Sequence, residues 1–125
     1  MEITSRNLVS AGGATKDYDA VAEIEVYGCT RTIGIEYERS AKSASRYDAI
    51  REALNKDKAT DTVLYLTSSD DILYLLAMEL RATRKRIGFA LSDAFRRSLL
   101  ETRTLTNMAS SEIVPLRELL DLRAS

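Results

Sequence analysis

The 125 residues carry 18 basic and 19 acidic side chains, a net charge of −1, so no bulk field draws the chain to nucleic acid or to an anionic membrane, and any such binding must come from a local patch. There is no histidine and a single cysteine, Cys29, which excludes serine–histidine triads, histidine-dependent nucleases, zinc fingers and disulfide frameworks built from this chain alone. Carboxylate, lysine, tyrosine and hydroxyl chemistry remains, and with it oxygen-seeking ions such as Mg2+ or Mn2+.

With 45% hydrophobic and 30% charged residues, the composition fits one domain over residues 1–125 around one core. The longest apolar stretch, Ile72–Leu80, interrupted once by Glu79, is far shorter than the roughly 18 residues a membrane span needs. The opening MEITSRNLVSAGG lacks the apolar segment of a signal peptide. A cytoplasmic protein that does not enter a membrane is expected.

In chain order, residues 1–17 read as an extended lead-in with one short strand near Arg6–Val9. From Asp19, the residues Ala20, Ala22, Ile24 and Val26 alternate with Val21, Glu23, Glu25 and Tyr27, the period of a half-buried strand. Gly28-Cys29 reads as a turn, and Arg31–Glu38 alternates again with Ile33, Ile35 and Tyr37 on one parity, which predicts a β-hairpin. The period then changes. Tyr47, Ile50 and Leu54 mark one face of a helix over about 43–56. Thr62–Thr67 (TVLYLT) is a short unbroken apolar run suited to a central strand covered on both faces. Ser68-Ser69-Asp70-Asp71 supplies N-cap oxygens and first-turn negative charge to a second helix carrying Ile72, Leu73, Leu76 and Leu80. Arg81, Arg84 and Lys85 suit its C-terminal end. Arg86–Leu91 alternates as a further strand, Ser92-Asp93 can cap a helix to about Glu101, and Pro115 suits the first turn of a last helix through Leu122. Strands separated by helices of this length imply parallel crossovers, hence a mixed α/β sheet flanked by helices.

The hairpin carries the chemistry. A tip at Gly28-Cys29 sets Asp19 opposite Glu38, Val21 opposite Glu36 and Glu23 opposite Gly34, all on one face, with the apolar parity turned to the core. Opposed side chains lie about 4.5–5.5 Å apart at Cβ, so Asp19, Glu36 and Glu38 can converge. Like charges so placed destabilise a sheet unless a cation or solvent compensates. A divalent metal is one such cation, able to activate water and clamp a phosphate oxygen; an acidic face turned to solvent is the plainer reading. After the hairpin, Arg39, Lys42, Arg46 and Arg51 are placed to hold a phosphate backbone, or are ordinary solvated helix charge. Tyr47, Tyr65 and Tyr74 sit within apolar patterns and read as core. Cys29 has no group to activate it as a nucleophile.

The segments DYDAVAEIEVYG, IGIEYERSAKSASRYDAI and TVLYLT resemble the PD-(D/E)xK nuclease superfamily over roughly residues 17–92, most nearly the replication-relaxation group of plasmid and mobile-element proteins. The resemblance implies a restriction-endonuclease-like sheet in the order hairpin, helix, strand, helix, strand. It implies that Asp19 and Glu36 take the places of the two acidic motif positions and would bind Mg2+ or Mn2+, with Glu38 beside them. Glu38 stands where active members have lysine, which positions the attacking water and stabilises negative charge, a role closed to a carboxylate. Lys42 is the relocated candidate. Tyr18 replaces the proline before the aspartate, and the usual N-terminal helix has no counterpart in residues 1–17, as in a fragment of a longer protein. The function this implies is DNA-associated, within a mobile element's replication or transfer machinery, and catalytically degenerate. The alternatives are an active Mg2+- or Mn2+-dependent DNA endonuclease and a non-enzymatic protein-interaction module. A homo-oligomer or other mobile-element proteins are the further partners expected.

Overall fold

The computed structural model describes residues 2–4, 18–26, 28–107 and 113–121. Seven strands form one sheet in chain order: β1 (Glu2–Thr4), β2 (Ala20–Val26), β3 (Cys29–Glu38), β4 (Thr62–Thr67), β5 (Arg86–Leu91), β6 (Arg103–Thr106) and β7 (Ile113–Pro115). Helices α1 (Ala44–Lys56) and α2 (Asp70–Glu79) make the crossovers β3–β4 and β4–β5, which are parallel. α3 (Ser92–Ser98) with a 3-10 turn at Leu99–Glu101 joins β5 to β6, and α4 (Leu116–Asp121) follows β7. All other strand pairs are antiparallel, so the sheet is mixed. No helix among the described residues is long and apolar enough to cross a membrane.

Both crossovers step the same way across the sheet, and a common handedness then puts both helices on one face. There Tyr47 and Leu54 of α1 and Leu73 and Leu76 of α2 pack on Val63, Tyr65, Ile87 and Phe89. The opposite face packs Ala22, Ile24, Ile33, Leu64, Leu66 and Ala90 against Leu116, Leu119 and Leu120 of α4. Strand β4 is therefore buried along its whole length, as its unbroken apolar run requires. Local signals place the helix starts. Ser43 Oγ accepts from Arg46 N, and Ser69 Oγ accepts from Ile72 N, each satisfying a first-turn donor.

Several expectations are corrected. Val26 pairs with Cys29 and Gly28, at φ +82°, makes the turn, so the hairpin register is shifted by two residues: Val21 faces Gly34 and Glu23 faces Thr32. A shift of two keeps the side-chain parity. The acidic face is no open surface, since α1 and α2 pack on the same side. Helix α2 stops at Glu79, so Arg81, Arg84 and Lys85 are not its dipole partners. Past the helix, Asn55 Oδ1 accepts from Arg84 N at 2.8 Å and Lys85 turns inward. Tyr74 is 58% exposed rather than core. Ser92 lies inside α3, which has no side-chain cap. Pro115 ends β7 opposite Arg103, and the last helix begins at Leu116. The strand expected near Arg6–Val9 lies outside the described residues.

At the C-terminal end of α1, a polar cluster ties four segments together. Asp57, with its side chain fully buried, accepts from the Tyr18 hydroxyl and Thr60 Oγ1, both at 2.6 Å, and from Ala59 N at 2.9 Å. Lys85 Nζ donates to the carbonyls of Asp57 and Thr60 at 2.7 Å and lies 3.4 Å from the Asp57 carboxylate. Burial pushes the Asp57 carboxyl up, but the hydroxyls of Thr60 and Tyr18, the Ala59 N–H and the Lys85 ammonium together outweigh it and hold the group below its ordinary value. A carboxyl depressed on folding contributes stability that is fully present above its unfolded value of about 3.9 and is lost as pH falls through the lower folded value. Urea unfolding from pH 7 down to pH 2 should therefore show a loss of stability below about pH 4 that flattens in Asp57→Asn. At pH 7, Lys85→Met should cost about 3–5 kcal/mol by leaving a buried carboxylate without its cation.

Candidate functional site

Asp19 precedes β2 and Glu36 lies near the end of β3, one step beyond the pair Ala20–Ile35. They are level, and each holds the other's strand: Asp19 N donates to Glu36 Oε1 at 2.7 Å, and Tyr37 N donates to Asp19 Oδ2 at 2.8 Å. Asp19 is exposed, Glu36 half-buried, and Glu38 only 7% exposed. Glu38 turns to Lys42, whose Nζ lies 3.0 Å from Glu38 Oε2. Lys42 N also donates to the Tyr47 hydroxyl at 3.1 Å, so the segment entering α1 is fixed from two sides.

Behind the carboxylates stands a residue that sequence reasoning assigned only to the core. Tyr65 pairs in register with Glu36 across β3–β4 and stacks on Phe89 at 6.1 Å between centroids. It is 1% exposed, yet its hydroxyl has no hydrogen-bond partner among the described residues. Burial raises its pKa, and the charges of Glu36 and Glu38 raise it further. The hydroxyl is thus a neutral donor beside the acidic groups. An apolar strand pattern gives no hint of it, because the ring satisfies the pattern and only the register reveals where the oxygen sits.

The position of Asp19 depends on its neighbour. The Tyr18 ring lies flat on Gly34, where an added Cβ would come within 2.9 Å of Tyr18 Cγ. Its hydroxyl is held by Asp57 and pushed above its ordinary pKa, first by burial and then by that bond. A glycine on β3 thereby clears the space for the ring that anchors the start of β2.

The expected metal set is divided. The structure brings Asp19 and Glu36 together and gives Glu38 to Lys42, and no three His, Cys, Asp or Glu among the described residues form a group that could hold an ion. Asp19 and Glu36 are oxygen donors of the kind Mg2+ or Mn2+ takes, but this arrangement does not offer the three carboxylates as one set.

Of the expected phosphate contacts, Arg39 is exposed, with its guanidinium 5.7 Å from the Tyr37 ring centroid. Arg46 is exposed in the first turn of α1. Both are on the chain just past Glu38. Arg51 is committed elsewhere, donating to the Glu79 carbonyl at 2.7 Å and pairing with Asp48. Beside α2, a cleft of about 280 Å3 is lined by Asp70, Leu73, Tyr74, Phe89, Arg103, Leu105 and Ile113, among others; no sequence signal marked it. Comparison with protein-family models, with curated proteins and with solved structures finds no match.

Gly34→Ala should destabilise the chain by about 1–3 kcal/mol, because the new methyl displaces the Tyr18 ring. In a Tyr18→Ala background the same change should cost much less, and urea midpoints of the four proteins measure that coupling. An equal cost in both backgrounds would show that Tyr18 is not what the methyl meets.

Proposed function

We propose that the chain is a restriction-endonuclease-like domain of the PD-(D/E)xK kind, associated with DNA in the replication or transfer machinery of a mobile element, with its nuclease chemistry lost. The arrangement of Asp19, Glu36 and Glu38 carries this reading. The two acidic positions are level at the mouth of the hairpin, while Glu38, in the place of the lysine, is buried and neutralised by Lys42. The element order hairpin, α1, β4, α2, β5 supports it, as does the location of the group at the C-terminal end of parallel strands, where open α/β sheets bind ligands. Arg39 and Arg46 beside this end supply cations for phosphate contacts.

One observation favours a second reading, an active Mg2+- or Mn2+-dependent DNA endonuclease. Lys42 reaches back to Glu38 at 3.0 Å, so an ammonium is present at the site although its motif position is lost. When bound, a divalent ion would polarise a phosphate oxygen and acidify a water. Asp19 and Glu36 would hold it, Lys42 would supply positive charge, and the Tyr65 hydroxyl could donate a hydrogen bond.

Gel-shift titrations of short DNA duplexes over a salt series, plasmid incubation with MgCl2 or MnCl2, and calorimetry with MnCl2 separate these readings. The first predicts DNA binding whose log–log salt slope shrinks by about 1–2 in the Arg39→Gln/Arg46→Gln double variant, with no nicking. Heat on Mn2+ addition together with nicking lost in Asp19→Asn would establish the second. Asn keeps an oxygen for Tyr37 N, so that variant tests charge rather than folding. No DNA binding at low salt would sink both.

A further inference from the structure

A second group of unsatisfied polar atoms lies at the opposite end of the parallel strands, on the face that carries α4. Register sets Ile33, Thr62 and Arg86 side by side across β3, β4 and β5. Arg31, two residues before Ile33 on the same strand, points to the same face. Neighbouring strands are about 4.8 Å apart and two residues advance about 6.7 Å, so the two arginine side chains flank Thr62 within reach of each other.

Two buried donors there have no partner among the described residues. Thr62 is fully buried, and its Oγ1 makes no hydrogen bond; neither does the buried Nε of Arg86. Such groups are rare in native proteins, and a bound water or ion is one of the partners that satisfies them. Arg31 spends only Nε on a described group, the Leu120 carbonyl at 3.1 Å. Among the described residues, no ion pair balances the two guanidiniums. Burial and then the neighbouring Arg31 hold the Arg86 guanidinium below its ordinary pKa, with Asp61 opposing. Asp61 is exposed and engaged with Thr32 N at 2.7 Å. Neither Asp61 nor Asp121 at the end of α4 forms an ion pair with either arginine.

A water could accept from Thr62 and Arg86, but it would leave two adjacent guanidiniums unneutralised. A planar carboxylate offers two oxygens, whereas donors converging from three strands suit a tetrahedral anion, and arginine pairs bind phosphate with charge-assisted bonds. We infer that Arg31, Thr62 and Arg86 form an oxyanion site that takes a phosphoryl group. The site stands apart from Asp19 and Glu36, and nothing in it depends on their chemistry. Its phosphoryl group comes either from a free phosphate or nucleotide or from a nucleic-acid strand.

Thermal unfolding of the wild-type chain in inorganic phosphate, against sodium acetate at matched ionic strength, tests the site directly. The midpoint should rise with phosphate and not with acetate, as mass action requires of a ligand bound to the native state. In 31P NMR, Arg86→Gln and Arg31→Gln should each weaken phosphate binding by about tenfold or more, the loss of one charge-assisted contact, and Thr62→Val by less. Coincident midpoints in phosphate and acetate for the wild type would overturn the inference, whether or not a variant folds. So would a Thr62→Val protein that binds phosphate as the wild type does and is more stable. Oligonucleotide competition for bound phosphate identifies the source. Displacement by unphosphorylated and 5′-phosphorylated strands alike points to backbone phosphates, by the phosphorylated strand alone to a terminal monoester, and by neither to a free small phosphate.

Discussion

A buried carboxylate governs how this chain comes together. Asp57 sits where α1 ends, and the groups that satisfy it come from the segment before β2 (Tyr18), the approach to β4 (Ala59 and Thr60) and the residue before β5 (Lys85). An ionised carboxylate removed from water is tolerable only when every such contact is made at once. The cluster therefore demands a particular meeting of four segments, which apolar packing alone does not. It also reaches the hairpin: the tyrosine ring that Asp57 holds lies on Gly34, and the next residue is Asp19.

The central part of this architecture was legible because its elements follow simple periods. Thr62–Thr67 and Arg86–Leu91 have the bounds their patterns predict, and α1 and α2 begin behind serine caps. The helices of the C-terminal part, read to about Glu101 and through Leu122, were legible too, but its strands were not, for a physical reason. In β6 the inward positions are Thr104 and Thr106, both buried, and a threonine facing the core reads as polar in an apolar-period scan. Thr104 Oγ1 satisfies itself on the Thr102 carbonyl at 3.0 Å, a local bond that no spacing announces. Asn107 is similar: it accepts from Ile87 N and donates to the carbonyls of Thr83 and Lys85, mimicking a strand partner for the start of β5. Strand β7, with β1 at the other edge, is three residues long, too short for a period to show.

At the hairpin, parity was legible and register was not. Alternation identifies which side chains share a face, since a two-residue slip leaves that unchanged. It does not identify which pair meets, and that is decided by which residues form the turn. The turn centred on Gly28 moves Asp19 from Glu38 to Glu36, which frees Glu38 for Lys42. The i, i+4 spacing of that ion pair is visible in the sequence, but it normally signals a helix. Here it spans the end of β3 and the approach to α1, so its importance rests on burial of the glutamate rather than on spacing.

The two ends of the parallel strands are opposite in charge, and the sheet explains why that is sustainable. Strands β3, β4 and β5 run together, so residues near their C-terminal ends, Glu36 and Glu38, are separated from those at their N-terminal ends, Arg31 and Arg86, by the length of a buried strand. The intervening residues, Ile33, Ile35, Val63, Leu64, Ile87 and Phe89, are apolar and largely buried, which keeps the two groups from cancelling through direct contact. Each must be neutralised where it stands. At the acidic end the chain does most of this itself, through backbone N–H groups to Asp19 and Glu36 and an ammonium to Glu38. At the basic end the described residues supply one hydrogen-bonded carbonyl, that of Leu120, and the charge of Asp61 without an ion pair. That asymmetry is why the cationic end, whose arginines the sequence marks only as the starts of strands, has the stronger physical claim to a ligand.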